Sequence, residues 1–234
     1  MTPATADHVR ENLGLLARLE KRALLAIAHR LPEGIHSDHL SALGLGAMAA
    51  AGASFAAYPL GRWASVGVVV ALVANWFGDS LDGTVARVRN QTRPRYGFYV
   101  DHVIDLAGTA LLLAGLAVSG LMAPIMAGLL LSAYLLVSAE SYLATHAVGR
   151  FRMSFMGFGP TELRIVLAIG ALKAAASPWV NLGGHEFRLF DIGAAVAIPG
   201  LLLAFAVSCV RNGMALYRLE PMPARSATQR RSGR

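Results

Sequence analysis

The chain reads as an all-α polytopic membrane protein: six transmembrane helices preceded by an amphipathic helix lying at the membrane surface. Three observations carry this. Hydrophobic residues make up 55% of the 234 and charged residues only 15%, against ~25% charged in a typical soluble domain. The mean hydropathy is +0.51. The charges are clustered, and the stretches between them approach the ~20 mostly apolar residues that cross the hydrocarbon as a helix. A disordered chain and a secreted disulfide-stapled one are excluded, since the lone Cys209 has no internal partner. It sits in an apolar run and is expected to be a small buried hydrophobe.

The elements follow in order. Residues 1–35 form the surface region, where Val9, Leu13, Leu16 and Leu24 mix with Arg18, Lys21 and Arg22, the pattern of an interfacial helix; a plain soluble cap is the alternative. Asp7, Glu11, Glu20 and Lys21 interrupt it, so it is no cleavable signal. Residues 36–218 hold the spans: about Leu40–Leu60, from Trp63 past Phe77, Val100–Val118, Ala123–Val148, Leu163–Ala176 and Ile192–Val210. The fifth is short and carries Lys173. Residues 219–234 are a basic tail opened by Pro221 and Pro223, which stop the last helix.

With the N-terminus in the cytosol, eighteen of the 21 Lys and Arg fall inside, leaving Arg62, Lys173 and Arg188 outside. The positive-inside rule therefore places both termini in the cytosol of a multi-pass protein of the cytoplasmic or inner membrane. The net charge of +7 fits this topology and anionic headgroups better than nucleic acid, which is not expected as a partner.

Spans two and three share an anomaly. Asp79, Asp82, Asp101 and Asp105 continue apolar helical sequence, although a centred Asp costs ~2.5–3.5 kcal/mol on insertion scales and so marks function by default. At 100° per residue Asp79, Asp82, Gly83 and Ala86 share one stripe, with Arg87 at its edge, while Gly97, Asp101 and Asp105 repeat at i, i+4, i+8. The connection Val88–Tyr96 is short and holds Pro94, so the spans form an antiparallel hairpin and both acidic stripes arrive at the cytosolic end. Crowded carboxylates repel or take up protons. Divalent cations relieve the repulsion, and all-oxygen ligation suits Mg²⁺ or Mn²⁺ rather than zinc, for which no Cys/His spacing exists. Gly83, Ala86 and Gly97 either let a substrate approach or serve ordinary helix packing. Arg87 can hold a diphosphate, with Arg89, Arg93 and Arg95 as topology charge.

Together, Asp79-Ser-Leu-Asp82-Gly83-Thr-Val-Ala86-Arg87 and Gly97-Phe-Tyr-Val-Asp101-His-Val-Ile-Asp105 resemble the signature of the CDP-alcohol phosphotransferase family. That signature is D-x2-D-G-x2-A-R, eight or nine residues, then G-x3-D-x3-D. All eight fixed positions match, nine residues separate Arg87 from Gly97, and the match spans 27 residues. One departure is Ser37-Asp38-His39, where many members open the first span with a Thr-Pro-Asn-like sequence. The resemblance implies a transferase of phospholipid biosynthesis that moves a phosphatidyl or other substituted phosphate group from a CDP-linked donor to an alcohol, releasing CMP. It implies two Mg²⁺ or Mn²⁺ ions on Asp79, Asp82 and Asp101, with Asp105 as general base or shared ligand. It places the CDP portion on Gly83, Ala86, Arg87 and Gly97, and homodimers are common in the family.

The acceptor is less legible. Glu140, Tyr142, His146, Arg150, Arg152, Thr161, Glu162 and Arg164 lie near the cytosolic ends of spans four and five. Arg150, Arg152, Glu162 and Arg164 form a candidate acceptor site, the arginines suiting a phosphorylated alcohol. The alternative is topology charge plus capping, with Pro160 at a first helical position and Glu162 against the positive helix end. His146 reads better as a packing residue. His102 and Thr161-Glu162-Leu163 are similar to the aminoalcohol branch, which uses diacylglycerol with CDP-choline or CDP-ethanolamine, whereas the basic residues favour CDP-diacylglycerol and a polar acceptor. Two rivals remain. A divalent-cation transporter would spread its acids through the membrane depth, and a prenyltransferase would carry its acidic motifs on distant helices.

Overall fold

The computed structural model describes residues 17–148 and 160–222. Arg150 and Arg152, the N-terminal Val9, Leu13 and Leu16, and the tail beyond Met222 lie outside the described residues. Seven α-helices follow in order: α1 Ala17–Arg30, α2 Ser37–Ala56, α3 Ala64–Val88, α4 Pro94–Val118, α5 Pro124–Val148, α6 Pro160–Ala176 and α7 Leu189–Leu219. Five of them (α2, α3, α4, α5 and α7) are long and apolar enough to cross a membrane, so the all-α polytopic reading holds. At 17 residues α6 is about 26 Å long, short of the ~30 Å core.

The succession of directions follows from a few polar contacts. Asp191, in the first turn of α7, accepts from the backbone N of Ala123 just before α5 at 2.7 Å. The two helices therefore start at the same end and run parallel, which requires α6 to run back between them. The Tyr58 hydroxyl, in the 3₁₀ turn Tyr58–Leu60 between α2 and α3, donates to the carbonyl of Ala174 at 2.8 Å. This brings the last turn of α6 to that same end. The starts of α2, α4 and α6 and the ends of α3, α5 and α7 consequently share the opposite end.

Glycine sets the closest helix crossings. A Cβ added at Gly115 of α4 would lie 2.0 Å from the Gly52 carbonyl oxygen of α2, and one at Gly78 of α3 would lie 2.6 Å from that of Leu40. Only hydrogen fits there, so α2 seats between α3 and α4 at backbone contact, the small-residue packing that membranes favour. A core of Phe55, Val68, Leu72, Leu112, Leu116, Met122 and Phe190 fills one end. Valines and leucines such as Val66, Val70, Leu129 and Leu203 are exposed, as expected for a lipid-facing wall.

Two details differ from expectation, the β hairpin and Cys209. Between α6 and α7 the chain forms a two-stranded antiparallel hairpin, β1 Trp179–Leu182 and β2 His185–Arg188. Its turn is Gly183-Gly184, both with φ in the left-handed region, the turn chemistry a two-residue hairpin favours. The last helix runs past its apolar span to Leu219 and stops before Pro221 as the sequence predicts, and its polar positions pack: Ser208 and Asn212 donate to Glu140 of α5 at 2.6 and 2.7 Å. Cys209 is exposed rather than buried, since it shares α7 with Ser208 but faces outward.

Candidate active site

The α3–α4 turn is tighter than the Val88–Tyr96 estimate. Pro94 opens α4, where its fixed φ suits the first turn and its missing N–H costs nothing. Asn90 takes a left-handed φ of 55°, and the Gln91 N–H donates to the Ala86 carbonyl at 2.8 Å. Five residues thus reverse the chain, and the acidic stripes of α3 and α4 come together.

They do so closely. Asp79, Asp101 and Asp105 each offer a carboxylate oxygen within 4.8 Å of the others. At an effective dielectric of ~20 each such pair repels by about 3 kcal/mol. Arg164 of α6 answers part of that charge: its Nη2 reaches Asp79 Oδ2 at 2.5 Å and its Nε donates to Asn75 Oδ1 at 2.7 Å. Asn75 in turn donates to the Gly44 carbonyl of α2 at 2.9 Å. Three carboxylates crowded this closely form a donor set that a divalent cation can bridge. The hard, all-oxygen donor set fits Mg²⁺ or Mn²⁺. Asp82 stands apart from the trio. Its Oδ2 accepts from Ser41 Oγ of α2 at 2.6 Å and its Oδ1 from the Gly83 N–H at 2.5 Å, within coulombic reach of Asp79 and Asp101.

The glycines of the signature separate by cause. A Cβ at Gly83 would meet nothing nearer than the Arg87 guanidinium at 3.4 Å, and one at Gly97 would meet nothing within 4 Å. Unlike Gly78 and Gly115, neither is required by contact with a neighbouring helix: the space beside Gly97 is open, and that beside Gly83 holds the Arg87 guanidinium. Arg87 lies across this face, its Nη2 on Thr84 Oγ1 at 3.2 Å. Asp38, in the departure from the usual opening of the first span, pairs with Arg93 beside a cleft lined by His36, Ser37, Gln91 and Thr92.

These observations decide the family, because a model for CDP-alcohol phosphatidyltransferase matches residues 41–210, well over half of the chain. The chain belongs to the CDP-alcohol phosphatidyltransferase family. It is accordingly a transferase of substituted phosphate groups, working between a CDP-alcohol donor and an alcohol acceptor in a lipid membrane. The family uses a divalent metal, and the Asp79, Asp101 and Asp105 cluster is where this chain could hold one. No curated protein matches the chain.

Of the remaining residues singled out, Arg164 reaches Asp79, and Glu162 lies half-buried two residues before it on α6. His102 is buried against α5: its ring stands 4.8 Å from that of Tyr142, edge to face, and its Nδ1 lies 2.6 Å from the Phe98 carbonyl oxygen. His146 is exposed rather than packed. Two residues were missed as contributors. Arg89, read as topology charge, donates to the carbonyls of Leu31, Pro32, Glu33 and Ile35 at 2.6–3.2 Å and so clamps the α1–α2 link to the end of α3. Glu20, noted only as an interruption of an apolar run, accepts from Trp76, Ser80 and Thr161. No short-range pattern announces either, since their partners lie 54 to 141 residues away.

Proposed function

We propose that this family member transfers a phosphatidyl group from CDP-diacylglycerol to a polar alcohol at the cytosolic face of the membrane. The observation that carries the reading is the meeting of Asp79, Asp101 and Asp105 within 4.8 Å beside the face of Gly83 and Gly97. In this reading Asp79, Asp82, Asp101 and Asp105 hold two Mg²⁺ or Mn²⁺ ions, and Gly83, Ala86, Arg87 and Gly97 receive the CDP portion. When bound, the cations neutralise the diphosphate oxygens and stabilise the departing CMP phosphate.

The chain's own residues do the rest. An alcohol is a poor nucleophile, so the Asp105 carboxylate takes the proton from the acceptor hydroxyl as its oxygen bonds to the phosphorus on the lipid side of the diphosphate. The bond from that phosphorus to the CMP oxygen breaks, and CMP leaves. Arg87, one turn from Asp82 and Gly83, offers a planar cation to the diphosphate. Arg150, Arg152, Glu162 and Arg164 form the acceptor side, where Arg164 brings a positive charge against Asp79. The excess of basic residues toward the end shared by the α3–α4 turn supports a cytosolic site with both termini inside, and the parallel run of α5 and α7 supports α6 as a sixth crossing.

The test is a panel assay of purified protein in lipid, with CDP-diacylglycerol or a CDP-aminoalcohol as donor, a range of alcohols and CMP as readout. Turnover with CDP-diacylglycerol and a polar alcohol is expected. Turnover confined to CDP-aminoalcohol with diacylglycerol transfers the assignment to the branch that His102 resembles.

A further inference from the structure

A single carboxylate of α1 reaches both α3 and α6. Along α1 the positions turned inward are Glu20, Leu24, Ile27 and Ala28, which pack on Trp76, Phe77, Leu81 and Val85 of α3. Glu20 caps this seam. Its Oε1 accepts from Trp76 Nε1 at 2.8 Å, from Thr161 Oγ1 at 3.0 Å and, at the limit of bonding, from Ser80 Oγ at 3.4 Å. One oxygen atom therefore gathers α1, α3 and α6. Hydrogen bonds to a charged group are worth ~1.5–3 kcal/mol each, more than an exposed surface contact supplies.

The third partner gives this knot a consequence for the site. Thr161 lies in the first turn of α6, and Arg164, three residues on, lies one turn above it on the same face. Arg164 is the guanidinium on Asp79. Farther along, α6 is seated by buried Ala171 and Ala174 and by Phe190 against Gly170, whereas Leu163, Ile165 and Val166 near its start are exposed. The start of α6 is thus placed against α3 by polar ties, Thr161 to Glu20 and Arg164 to Asn75 and Asp79. Ser80, adjacent to Asp79 in the chain, is held by the same carboxylate.

We infer that Glu20 is a positioning residue for the transferase site: through Thr161 it fixes the first turn of α6, and with it the Arg164 guanidinium, against Asp79. This rests on the reading of Asp79 as part of the active site. The surface helix is then a structural member of the catalytic centre, and its seat on the membrane is connected to the acid cluster by two hydrogen bonds in series.

Three variants in the full-length protein in lipid nanodiscs separate this from a merely structural role. Glu20→Ala removes the whole knot, Thr161→Val removes only the tie to α6 at equal volume, and Trp76→Phe removes only the tie to α3. Misplacement of a site group by about 1 Å can cost up to ~100-fold, so Glu20→Ala and Thr161→Val are each expected to lower kcat about tenfold, with donor KM changed by less than about twofold. The double variant should be no slower than either single one, Glu20→Gln should recover most of the rate, and Trp76→Phe should turn over close to the parent. Amide hydrogen exchange gives a second readout: residues 164–168 should lose protection in Glu20→Ala and Thr161→Val but not in Trp76→Phe. A Thr161→Val enzyme with parental rate and protection overturns the inference, as does a Trp76→Phe enzyme that reproduces Glu20→Ala. A parent protein releasing no CMP from any donor sinks the functional reading instead, and the exchange arm still decides whether Glu20 holds α6.

Discussion

Two acidic sites lie toward the same end of the bundle, and they are built on opposite terms. Glu140 of α5 is a single carboxylate with one donor on each oxygen, Ser208 Oγ on Oε2 and Asn212 Nδ2 on Oε1. Its hydrogen bonds fasten α5 to α7. The Asp79, Asp101 and Asp105 trio instead presses three carboxylates within 4.8 Å of one another, with the Arg164 guanidinium on Asp79. An intramembrane acid is a functional hypothesis by default, and the two sites show how to refine that default. Where neutral donors match the oxygens of a lone carboxylate, the acid is a fastener; where several carboxylates are pressed together, the site suits a cation shared among them.

The sharpest break between the two comes at Asp105. Asp105→Asn keeps the shape but removes the basic oxygen pair, and loss of a general base costs ~10²–10⁴ in rate. CMP release should fall by that amount while Mn²⁺ binding, followed by electron paramagnetic resonance, largely persists. Near-parental turnover would take Asp105 out of the mechanism. Next in size is the effect on the metal. Asp79→Ala or Asp101→Ala should weaken Mn²⁺ binding by more than the ~10–100-fold that loss of a supporting partner costs, and chelation should stop turnover of the parent reversibly. An unchanged Mn²⁺ titration in both variants would show that the trio is not the ligand set.

A smaller effect is expected on the acceptor side. If Arg150, Arg152 and Arg164 receive an anionic acceptor, neutralising Arg150 or Arg152 removes a charged hydrogen bond worth ~1.5–3 kcal/mol, about tenfold or more in acceptor KM. Donor KM should move less. An effect on donor KM alone assigns these arginines to the CDP side.

What the sequence disclosed follows the range of each interaction. The α3–α4 hairpin was readable because its information is local: the acids repeat at helical spacing, Pro94 marks the turn, and all the fixed positions fall within one short stretch. The apolar spans were readable for the same reason, although their ends were not. The stop of the last helix before Pro221 was the exception, whereas the partner that Asn212 finds on α5, 72 residues earlier, is a fact no window of sequence holds. Arg89 and Glu20 were passed over because a lone charge in an amphipathic stretch looks the same whether it faces water or collects hydrogen bonds from distant segments. Asp82 shows what the signature alone leaves out: its carboxylate also accepts from Ser41 of α2, a contribution from a helix outside the signature.

Glu140 supplies the last and smallest prediction, and it tests the fastener half of the comparison. Interhelical hydrogen bonds in membranes average ~0.6 kcal/mol with a maximum near 1.7. Glu140→Ala removes two of them, but Asn212 Nδ2 already lies 3.2 Å from Ser208 Oγ, so those two groups fall back on each other rather than being stranded. The expected loss is therefore about 1 kcal/mol, seen as a lower unfolding midpoint in lipid, with Mn²⁺ affinity and kcat unchanged. Glu140→Gln should be milder still, because its carbonyl oxygen keeps one donor and its amide can donate to Ser208 Oγ. The opposite outcome, a stable Glu140→Ala protein whose Mn²⁺ affinity falls with that of Asp79→Ala, would mean that the acid on α5 belongs to the metal-binding set, and that counting neutral donors fails to separate the two sites.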